Sequence, residues 1–520
     1  MALVDKTAES AEAGQDKPIC EASEAEAPSQ VFGGLVPNLD LQLWDLLCQS
    51  ATAYPDREAL VSLWQGAGHA GSNEGSSLKW SYGCLLERCK HLAAALARRL
   101  QSQRTAGASL AMVSGNSAEW ALCLWTAARM GMPFAPLDAR ASAADVADML
   151  DVVRPCVLVV QEASWARDLA AWSHGIVRIQ CSRGERVAGW ERLDDLQDEE
   201  EQHQDEQHQD EQHQDEQHGL EPRLCRAPAT TTALILFTSG TSGRPKACPH
   251  SHANVVAQTH VYDANEHVDR WLVHTPASHM FALNNALRAW RQGHVVVLPS
   301  ANFDVSATAD ALERQCCTVV SATPTLVRAL LAHWQQKPHG RRPGADQPAK
   351  AVSVVTVAGT SVSPSDLLLC RRVLGARDAI QAYGLSEGGP LISWARNDGL
   401  LKHGLHAGVG KLLPGAAARI CPPRSTSPLP RGHVGELHVG GPSVIAGYLG
   451  AGQQQQAFYR DHHGTWLVTG DQARMDKDGV VFILGRYDDL IIRGGENIWP
   501  AAIEAALTEV FMYPPVPTHY

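Results

Sequence analysis

Short apolar runs alternate with longer segments of helical periodicity through most of the chain. The stretch Leu78 to Leu100, LKWSYGCLLERCKHLAAALARRL, predicts a short strand followed by an amphipathic helix. The stretch SLAMVSGNSAEWALCLWTAARMGMPFAPLD predicts a strand, a loop, a helix and a second strand. Three further runs predict strands, each followed by a helical segment: HVVVLP (His294–Pro299), CTVVSATP (Cys317–Pro324) and AVSVVTVAG (Ala351–Gly359). This alternation predicts an α/β fold of layered subdomains, with helices on both faces of its sheets.

The pattern changes from about Gly408 onward. Short strands separated by turn residues, as in GELHVGGPSVIAGYLG, predict a smaller β-rich subdomain. Glycine and aspartate residues near position 488 predict a domain boundary. We therefore expect a large N-terminal domain over residues 36–488 and a short C-terminal segment over residues 489–520.

Two segments predict no packed structure. Residues 1–35 are acidic, are rich in alanine and serine, and lack the apolar run of a secretory signal, so we expect a disordered tail. Residues 194–222 contain a five-residue repeat, EQHQDEQHQDEQHQDEQH, which predicts a disordered acidic insertion within one fold. A period of five does not stack side chains on one helix face, which argues against a metal site at His203, His208, His213 and His218.

Composition narrows the class of protein. The 520 residues, 44% apolar and 19% charged, are ordinary for a globular protein with room for two or more domains. The net charge of −12 equals the twelve acidic residues between Asp194 and Glu216, so the rest is balanced and nucleic-acid binding is not expected. No apolar run approaches the roughly 20 residues that span a bilayer. The thirteen cysteines contain no C-x-x-C pair, which favours free thiols in an intracellular protein. The sequence does not end in a peroxisomal tripeptide, so we expect a cytoplasmic location.

The first candidate for chemistry is the loop in LFTSGTSGRPKACPHSHANV, Leu236 to Val255. It follows an apolar run that predicts a buried strand. Its glycines let backbone N–H groups approach an anion, its hydroxyls offer further donors, and Lys246 adds a cation. Because Lys246 is followed by Ala247 rather than by serine or threonine, the loop is not a Walker loop. It is either a phosphate-binding loop of another kind or a flexible linker.

Five more stretches follow that loop in a fixed order. They are TPASHMFAL (Thr275–Leu283), QAYGLSEGGP (Gln381–Pro390), GELHVGGPSVIAGY (Gly435–Tyr448), WLVTGDQ (Trp466–Gln472) and DGVVFILGRYDDLIIRGGENIWPAAIE (Asp478–Glu504). Together they closely resemble the adenylate-forming superfamily of acyl-CoA synthetases, carrier-protein adenylation domains and luciferases, over roughly residues 36–507. The last stretch is more similar to the CoA-ligase branch, especially aryl and medium-chain acyl ligases, than to peptide-synthetase adenylation domains.

The resemblance implies that the glycine-rich loop closes over the β- and γ-phosphates of ATP, with Lys246 as a catalytic cation. Tyr383 would stack on adenine, and Ser386 would bond the α-phosphate. Glu387 would bind Mg²⁺ near that phosphate, as a hard oxygen ligand can. A plainer interpretation makes Ser386 and Glu387 the N-cap of a helix, which would itself be an anion site.

The resemblance also implies a ribose site. Asp471 would accept hydrogen bonds from both ribose hydroxyls, and Arg486 would add a second contact. The alternative is a turn aspartate and a surface arginine. The complete implied set of nucleotide-binding residues is Thr238, Ser239, Gly240, Thr241, Ser242, Gly243, Gly359, Tyr383, Gly384, Asp471 and Arg486.

Three other sites are implied in the same way. His279 and Phe281 resemble the entrance of the acyl pocket, although a lone histidine there could equally be a core residue. Asp488 resembles the hinge of the family's small C-terminal lid, and Gly494 and Gly495 would line a CoA tunnel. The alternative for these three is a hairpin turn. The mixed apolar and small residues around the pocket exclude neither aryl nor aliphatic acids.

The implied reaction activates a small carboxylic acid with Mg²⁺ and ATP as an acyl adenylate, and then transfers the acyl group to CoA. Two alternatives stay open: an adenylation enzyme that loads a carrier protein, and a catalytically impaired nucleotide-binding remnant. No lysine follows Lys477, whereas the family's lid carries a lysine that reaches the α-phosphate. We therefore expect residues 489–520 to be a truncated lid, and adenylation by this chain to be slow.

Overall fold

The computed structural model describes most of the chain between residues 27 and 498. The described ranges are 27–66, 77–100, 108–172, 175–182, 184–200, 228–238, 245–260, 267–336, 352–359, 362–395, 408–450, 456–489, 491–493 and 496–498. Within them the chain forms three large sheets, a two-stranded ribbon and the helices that pack between and outside the sheets.

The first large sheet has seven strands, parallel except at the edge strand β10. In spatial order they are β10 (Lys246–Ser251), β9 (Thr232–Thr238), β5 (Phe134–Asp138), β4 (Leu110–Ser114), β6 (Val157–Val160), β7 (Val177–Gln180) and β8 (Glu191–Arg192). The central strands are apolar on both faces because helices cover both sides of the sheet.

The second large sheet has nine strands, of which the six in the middle are parallel. In spatial order they are β17 (Lys411–Leu412), β16 (Gly389–Ser393), β15 (Asp378–Leu385), β14 (Val354–Val357), β13 (Val319–Ala322), β11 (Arg270–Leu272), β12 (Val295–Leu298), β2 (Glu58–Ser62) and β3 (Leu78–Ser81). The strands β16, β17 and β3 are antiparallel to their neighbours and form the two edges.

The third sheet is antiparallel and corresponds to the predicted β-rich subdomain. Its strands are β1 (Gln30–Phe32), β18 (Ala417–Cys421), β19 (Val434–Gly440), β21 (Gly464–Met475), β20 (Phe458–Asp461) and β22 (Val481–Arg486), the last two both pairing with β21. A separate ribbon pairs β23 (Ile491–Arg493) with β24 (Glu496–Ile498).

The helices begin and end where their sequence chemistry predicts. Serines at positions 81, 117, 142 and 363 each accept a hydrogen bond from the backbone N–H three residues on, and glycines 131 and 375 end two helices with φ of 65° and 62°. Residues 193–200 are also helical. The other helices are Leu43–Ala53, Tyr82–Arg99, Ala118–Met130, Ala143–Val153, Ala163–Asp168, His252–Gln258, Met280–Arg291, Val305–Arg314, Pro324–Gln336 and Pro364–Leu374.

The largest hydrophobic core lies between the two parallel sheets. Trp120 and Trp125 of one helix pack against Trp290 of another, with ring centroids 5.8 and 5.5 Å apart. All three indoles are fully buried, and Trp290 Nε1 donates to the Ala59 carbonyl, 2.9 Å away. This core fixes the two sheets against each other, and with them the strand ends that carry the site.

The predicted layered α/β fold is confirmed, but two segment boundaries are wrong. The tail predicted to reach residue 35 is too long, because β1 pairs with β18 and Ser29 is buried. The insertion predicted from residue 194 begins too early, because residues 193–200 are helical, Leu196 is buried and Glu199 pairs with Arg99 at 2.9 Å. The pentapeptide repeat itself lies outside the described residues.

Candidate active site

The YGLSE motif turns the chain from β15 into β16. Residues 386–388 form the turn of an antiparallel hairpin, so the prediction that Ser386 begins a helix is wrong. These residues form a turn because β15 pairs with β16, and a local Ser-Glu pattern does not reveal that pairing. Glycine is needed at two places: a Cβ on Gly384 would lie 2.4 Å from the Gly389 carbonyl oxygen, and Gly389 has φ of 65°.

A buried histidine holds this turn by a hydrogen bond to its backbone. His250 Nε2 lies 2.8 Å from the carbonyl oxygen of Ser386, and its Nδ1 lies 2.9 Å from Gln258 Nε2. A carbonyl only accepts, so Nε2 carries the proton and Nδ1 accepts from the amide. Burial lowers the pKa of His250 to about 4, outweighing the opposing effect of the Ser386 carbonyl, so the ring is neutral at pH 7. Gln258 Nε2 also donates to the Ser443 carbonyl at 2.7 Å, which ties the turn to the loop that follows β19.

Tyr448 holds the carboxylate of Glu387. Its hydroxyl donates to Glu387 Oε1 at 2.7 Å, and Lys246 Nζ lies 5.4 Å from the centre of its ring. Burial, and then the charge of Glu387, raise the pKa of Tyr448, which keeps the hydroxyl protonated and donating. Lys246 begins β10 opposite Thr238 at the end of β9, so the glycine-rich loop connects two paired strands. Its Ser239, Gly240, Thr241, Ser242 and Gly243 lie outside the described residues.

Tyr383, Asp471 and Arg486 meet at the junction of the second and third sheets. Asp471 and Arg486 face each other across β21 and β22, and Arg486 Nε lies 3.0 Å from Asp471 Oδ1. The Tyr383 hydroxyl donates to Asp471 Oδ2 at 2.5 Å. The pKa of Asp471 is raised, because burial raises it by more than the hydrogen bonds from Tyr383 and Arg486 lower it. Asp471 is only 5% exposed and lies in β21, so the turn-aspartate part of the alternative is wrong, whereas the Arg486 side chain is 55% exposed, as the alternative expects.

His279 contacts the end of a strand of the seven-stranded sheet. It precedes the helix Met280–Arg291, and its Nε2 lies 3.5 Å from Asp138 Oδ2 at the end of β5. Burial raises the pKa of Asp138, but the hydrogen bonds from His279 and Arg140 more than offset this and hold it well below its usual range. The His279 side chain is 56% exposed, so the core-residue alternative is wrong.

A cavity of about 400 Å³ opens beside the turn. We call it the helix–sheet cavity because it lies between the helix Met280–Arg291 and one face of the nine-stranded sheet. Residues at the carboxyl ends of β14 and β15 line one end of this cavity, which we call its mouth, and ligands bind at such strand ends in open α/β sheets. Six predicted residues line it: Gly359, which has φ of 83°, His279, Phe281, Tyr383, Gly384 and Ser386.

The remaining predicted residues lie in three places. Asp471, Arg486, Glu387 and Lys246 adjoin the mouth of the helix–sheet cavity through Tyr383 and Tyr448. Asp488 lies in a short 3₁₀ turn, Tyr487–Asp489, that follows β22. Gly494 and Gly495 lie outside the described residues.

Sequence reasoning missed His250, Gln258 and Tyr448 as supporting residues. Tyr448 stands inside a motif quoted for the resemblance, so its place in the order of motifs was a usable signal. His250 lies 136 positions before Ser386, and no local pattern joins the two.

The acidic residues suit a metal held mainly by a nucleotide. Across the described ranges, no three His, Cys, Asp or Glu side chains are grouped to hold a metal ion. Mg²⁺ with a nucleotide commonly uses one or two carboxylates and the phosphate oxygens, so Glu387 alone fits it. In the same part of the chain, no helix combines the length and apolar character that crossing a bilayer demands.

Comparison with known proteins identifies the family. The model of the family described as AMP-binding enzyme matches residues 47–449. The chain belongs to this family. An acyl-CoA ligase of Pestalotiopsis microspora is 26% identical in an alignment of 522 positions. The alignment covers 93% of this chain and 84% of that relative.

Two solved structures share the fold. ATP-bound MatB from Rhodopseudomonas palustris has a TM-score of 0.69 at 21% identity, covering 90% of this chain and 83% of that one. O-succinylbenzoate CoA synthetase (MenE) from Bacillus subtilis, in complex with ATP and magnesium ion, has a TM-score of 0.66 at 22% identity, covering 90% and 84%.

These findings confirm the prediction of an adenylate-forming enzyme of the acyl-CoA ligase class, an acid–thiol ligase type that uses ATP, Mg²⁺ and CoA. The relative named above is a CoA ligase, so the alternative of carrier-protein loading is not supported.

Proposed function

We propose that this AMP-binding enzyme joins a carboxylic acid to CoA in two steps at the mouth of the helix–sheet cavity. In the first, a carboxylate oxygen attacks the α-phosphorus of ATP, the bond to the bridging oxygen breaks, and pyrophosphate leaves. In the second, the sulfur of CoA attacks the acyl carbon and AMP leaves. The observation that carries the proposal is that Tyr383, Ser386, Glu387 and Asp471 converge beside this one cavity.

The residues of the nucleotide site divide the work of binding. Asp471, preset by Tyr383 and Arg486, has lone pairs left to accept the ribose hydroxyls. The ring of Tyr383 lines the cavity and offers a face to adenine, while its hydroxyl is held by Asp471. Because these contacts exist before ligand binding, the nucleotide meets an ordered surface.

A second set of residues would hold the phosphates of ATP and neutralise their negative charge. Ser386 offers its hydroxyl from a turn that His250 holds in place. Lys246 and the glycine-rich loop, with Thr238 at its base, would take the β- and γ-phosphates. Mg²⁺, held by Glu387 and phosphate oxygens, would neutralise charge on the leaving pyrophosphate. Tyr448 fixes the rotamer of Glu387 so that one carboxylate oxygen is already oriented.

The acid would enter past His279 and Phe281, with its chain in the helix–sheet cavity. The assignment of Asp488 as hinge and of Gly494 and Gly495 as CoA tunnel stays a proposal, as does the division at residue 488. An intracellular location is supported by the eleven free cysteines in the described part of the chain.

The test is acid-dependent exchange of pyrophosphate into ATP, run with a panel of carboxylic acids, followed by detection of the CoA thioester. We expect exchange to require an acid and Mg²⁺, and to fall strongly in Asp471→Asn. The matched control is Asp476→Asn, which changes a carboxylate in the turn between β21 and β22, at the opposite end of this strand pair from Arg486. Acid-independent exchange, or equal exchange in both variants, would refute the proposal.

A further inference from the structure

The helix–sheet cavity has two ends of different chemistry. The helix Met280–Arg291 follows β11 and runs back along the parallel strands, so its first residues stand at the mouth and its last at the floor. Phe281 and Ser386 both line the cavity at its mouth, and Arg288 and Asp269 line it at the floor. Seven residues of helix separate Phe281 from Arg288, a distance of about 10 Å. An acid whose carboxylate reaches Ser386 therefore extends about this far.

The walls of the cavity are apolar and partly aromatic. Trp271, Val319, Val354 and Ile380 line it from the sheet, and Trp394 lines it from beyond β16. Such a surface gains free energy by covering a hydrophobic body, and its indoles suit a flat ring.

One buried polar group in this wall has an unused hydrogen-bonding atom. Asn285 lines the cavity, is only 9% exposed, and its Nδ2 donates to the Phe281 carbonyl at 2.7 Å. That contact sets the amide orientation, because a carbonyl oxygen only accepts. Across the described residues, no donor reaches the other amide atom, Oδ1 of Asn285. A hydroxyl that enters the cavity can therefore donate to this oxygen.

The neighbouring asparagine is used differently. Asn284 Nδ2 donates to the carbonyl of Gln258 on another helix, at 3.2 Å. Both asparagines line the cavity, but the amide of Asn284 joins two helices, whereas the amide of Asn285 bonds only within its own helix.

The charges at the floor do not favour an acid with a second carboxylate. Arg288 and Asp269 bring one positive and one negative side chain to the cavity, so the floor carries no net charge that would favour a second carboxylate. Asp269 Oδ1 already accepts from Thr318 Oγ1 at 2.7 Å, and the Arg288 guanidinium lies 5.7 Å from the Trp271 ring centre. A distal carboxylate would also face the Asn285 oxygen, which repels it.

We propose that the substrate is a hydroxylated carboxylic acid with an apolar body, and that Asn285 determines this specificity by accepting a hydrogen bond from the hydroxyl. This rests on the proposed function, because it assumes that the helix–sheet cavity holds the acyl group. The hydroxyl of the bound acid would lie part-way down the cavity, about one helical turn below Phe281. This position matches an acid that has one ring and a short side chain, or an aliphatic acid of the same overall length.

The test measures binding of non-hydrolysable acyl sulfamoyl-adenosines by calorimetry, so that no turnover is needed. The probes are the 3-(4-hydroxyphenyl)propanoyl and 3-(3-hydroxyphenyl)propanoyl compounds, the unsubstituted 3-phenylpropanoyl compound and the 3-(4-carboxyphenyl)propanoyl compound. We expect at least one hydroxylated probe to bind about tenfold more tightly than the unsubstituted one, the factor for one neutral hydrogen bond. We expect the carboxylated probe to bind no more tightly than the unsubstituted one.

Two variants locate the effect. Asn285→Leu should bring the hydroxylated and unsubstituted probes to equal affinity, whereas Asn285→Asp, which keeps an acceptor, should retain the preference. AMP is titrated into each protein to show that the nucleotide site is intact. No preference in the wild type, or an undiminished preference in Asn285→Leu, would overturn the inference alone. If AMP binds but no acyl probe binds more tightly than AMP, the proposed acyl site fails as well.

Discussion

The neutral state of His250 makes a prediction that follows from burial and hydrogen bonding alone. Its pKa falls from the ordinary value of 6.5 to about 4 in the folded protein. Above pH 6.5 both states of the chain leave this ring neutral, so its contribution to stability is fully present. As the pH falls from 6.5 towards 4 the unfolded chain takes up a proton that the folded chain refuses, so stability is lost in that window. Between pH 7 and pH 5 the loss from this residue is about 2 kcal/mol.

The perturbation that isolates this contribution is His250→Gln. A glutamine can donate from Nε2 to the Ser386 carbonyl and accept from Gln258 through Oε1, so it imitates both bonds of the neutral ring without a titratable group. Other buried histidines also have a pKa lowered to about 4 by burial, and they titrate equally in both proteins: His252, His274 and His438. The difference between the wild type and the variant therefore reports His250.

The assay is urea unfolding of both proteins at pH 7 and pH 5, with equal m-values as the check that the states compared are the same. We expect the wild type to lose about 2 kcal/mol more than His250→Gln between these pH values. A matching variant, His250→Leu, leaves the Ser386 carbonyl unsatisfied and should be less stable than His250→Gln at both pH values. Equal losses in the wild type and His250→Gln would refute the assignment of a buried neutral ring.

Three further predictions concern the nucleotide site and the acidic repeat. Asp471→Ala should weaken AMP binding by ~1.5–3 kcal/mol, because the ribose loses hydrogen bonds to a charged group, and unchanged affinity in calorimetry would contradict the ribose assignment. Tyr448→Phe removes the 2.7 Å bond to Glu387 and should raise the Mg²⁺ concentration needed for half-maximal pyrophosphate exchange; an unchanged Mg²⁺ dependence would count against it. Deleting Glu201–His218 removes no apolar residue and should leave the melting temperature nearly unchanged, whereas a large fall would show that the repeat packs.

The layered fold was predictable because its signals are local. The run from Leu78 to Leu100 has strand and helix periods in succession, and Ser81 caps the helix that follows β3. The ends of the packed regions were not predictable in the same way. The strand β1 is only three residues long, and it is stabilised by pairing with β18, nearly 400 positions away in the sequence. Tertiary pairing of this kind leaves no local period.

The site shows the same division. The glycine-rich loop and the YGLSE turn stand out by residue type, and the order of the motifs made the family recognisable. The contacts that orient them do not stand out, since Tyr383 and Asp471 are 88 positions apart and the carboxylate is fixed by a strand pairing across β21 and β22. Likewise the asparagine in the cavity wall lies within an amphipathic helix, where its neighbours satisfy the helical period and nothing marks its free oxygen.

The role of Gln258 ties substrate choice to catalysis in a way that matters for protein engineering. Its carbonyl receives the amide of Asn284, and its own amide binds His250, which in turn holds the Ser386 carbonyl. A line of hydrogen bonds thus runs from Asn284 in the wall of the helix–sheet cavity, where we propose that the acyl group binds, to the turn that we propose faces the α-phosphate. A designer who enlarges the cavity at Asn284 also removes one of the contacts that hold Gln258, so we expect a redesigned specificity to come with a slower first step. Changing the acid while keeping the rate requires leaving Asn284 in place and rebuilding the pocket from the opposite wall.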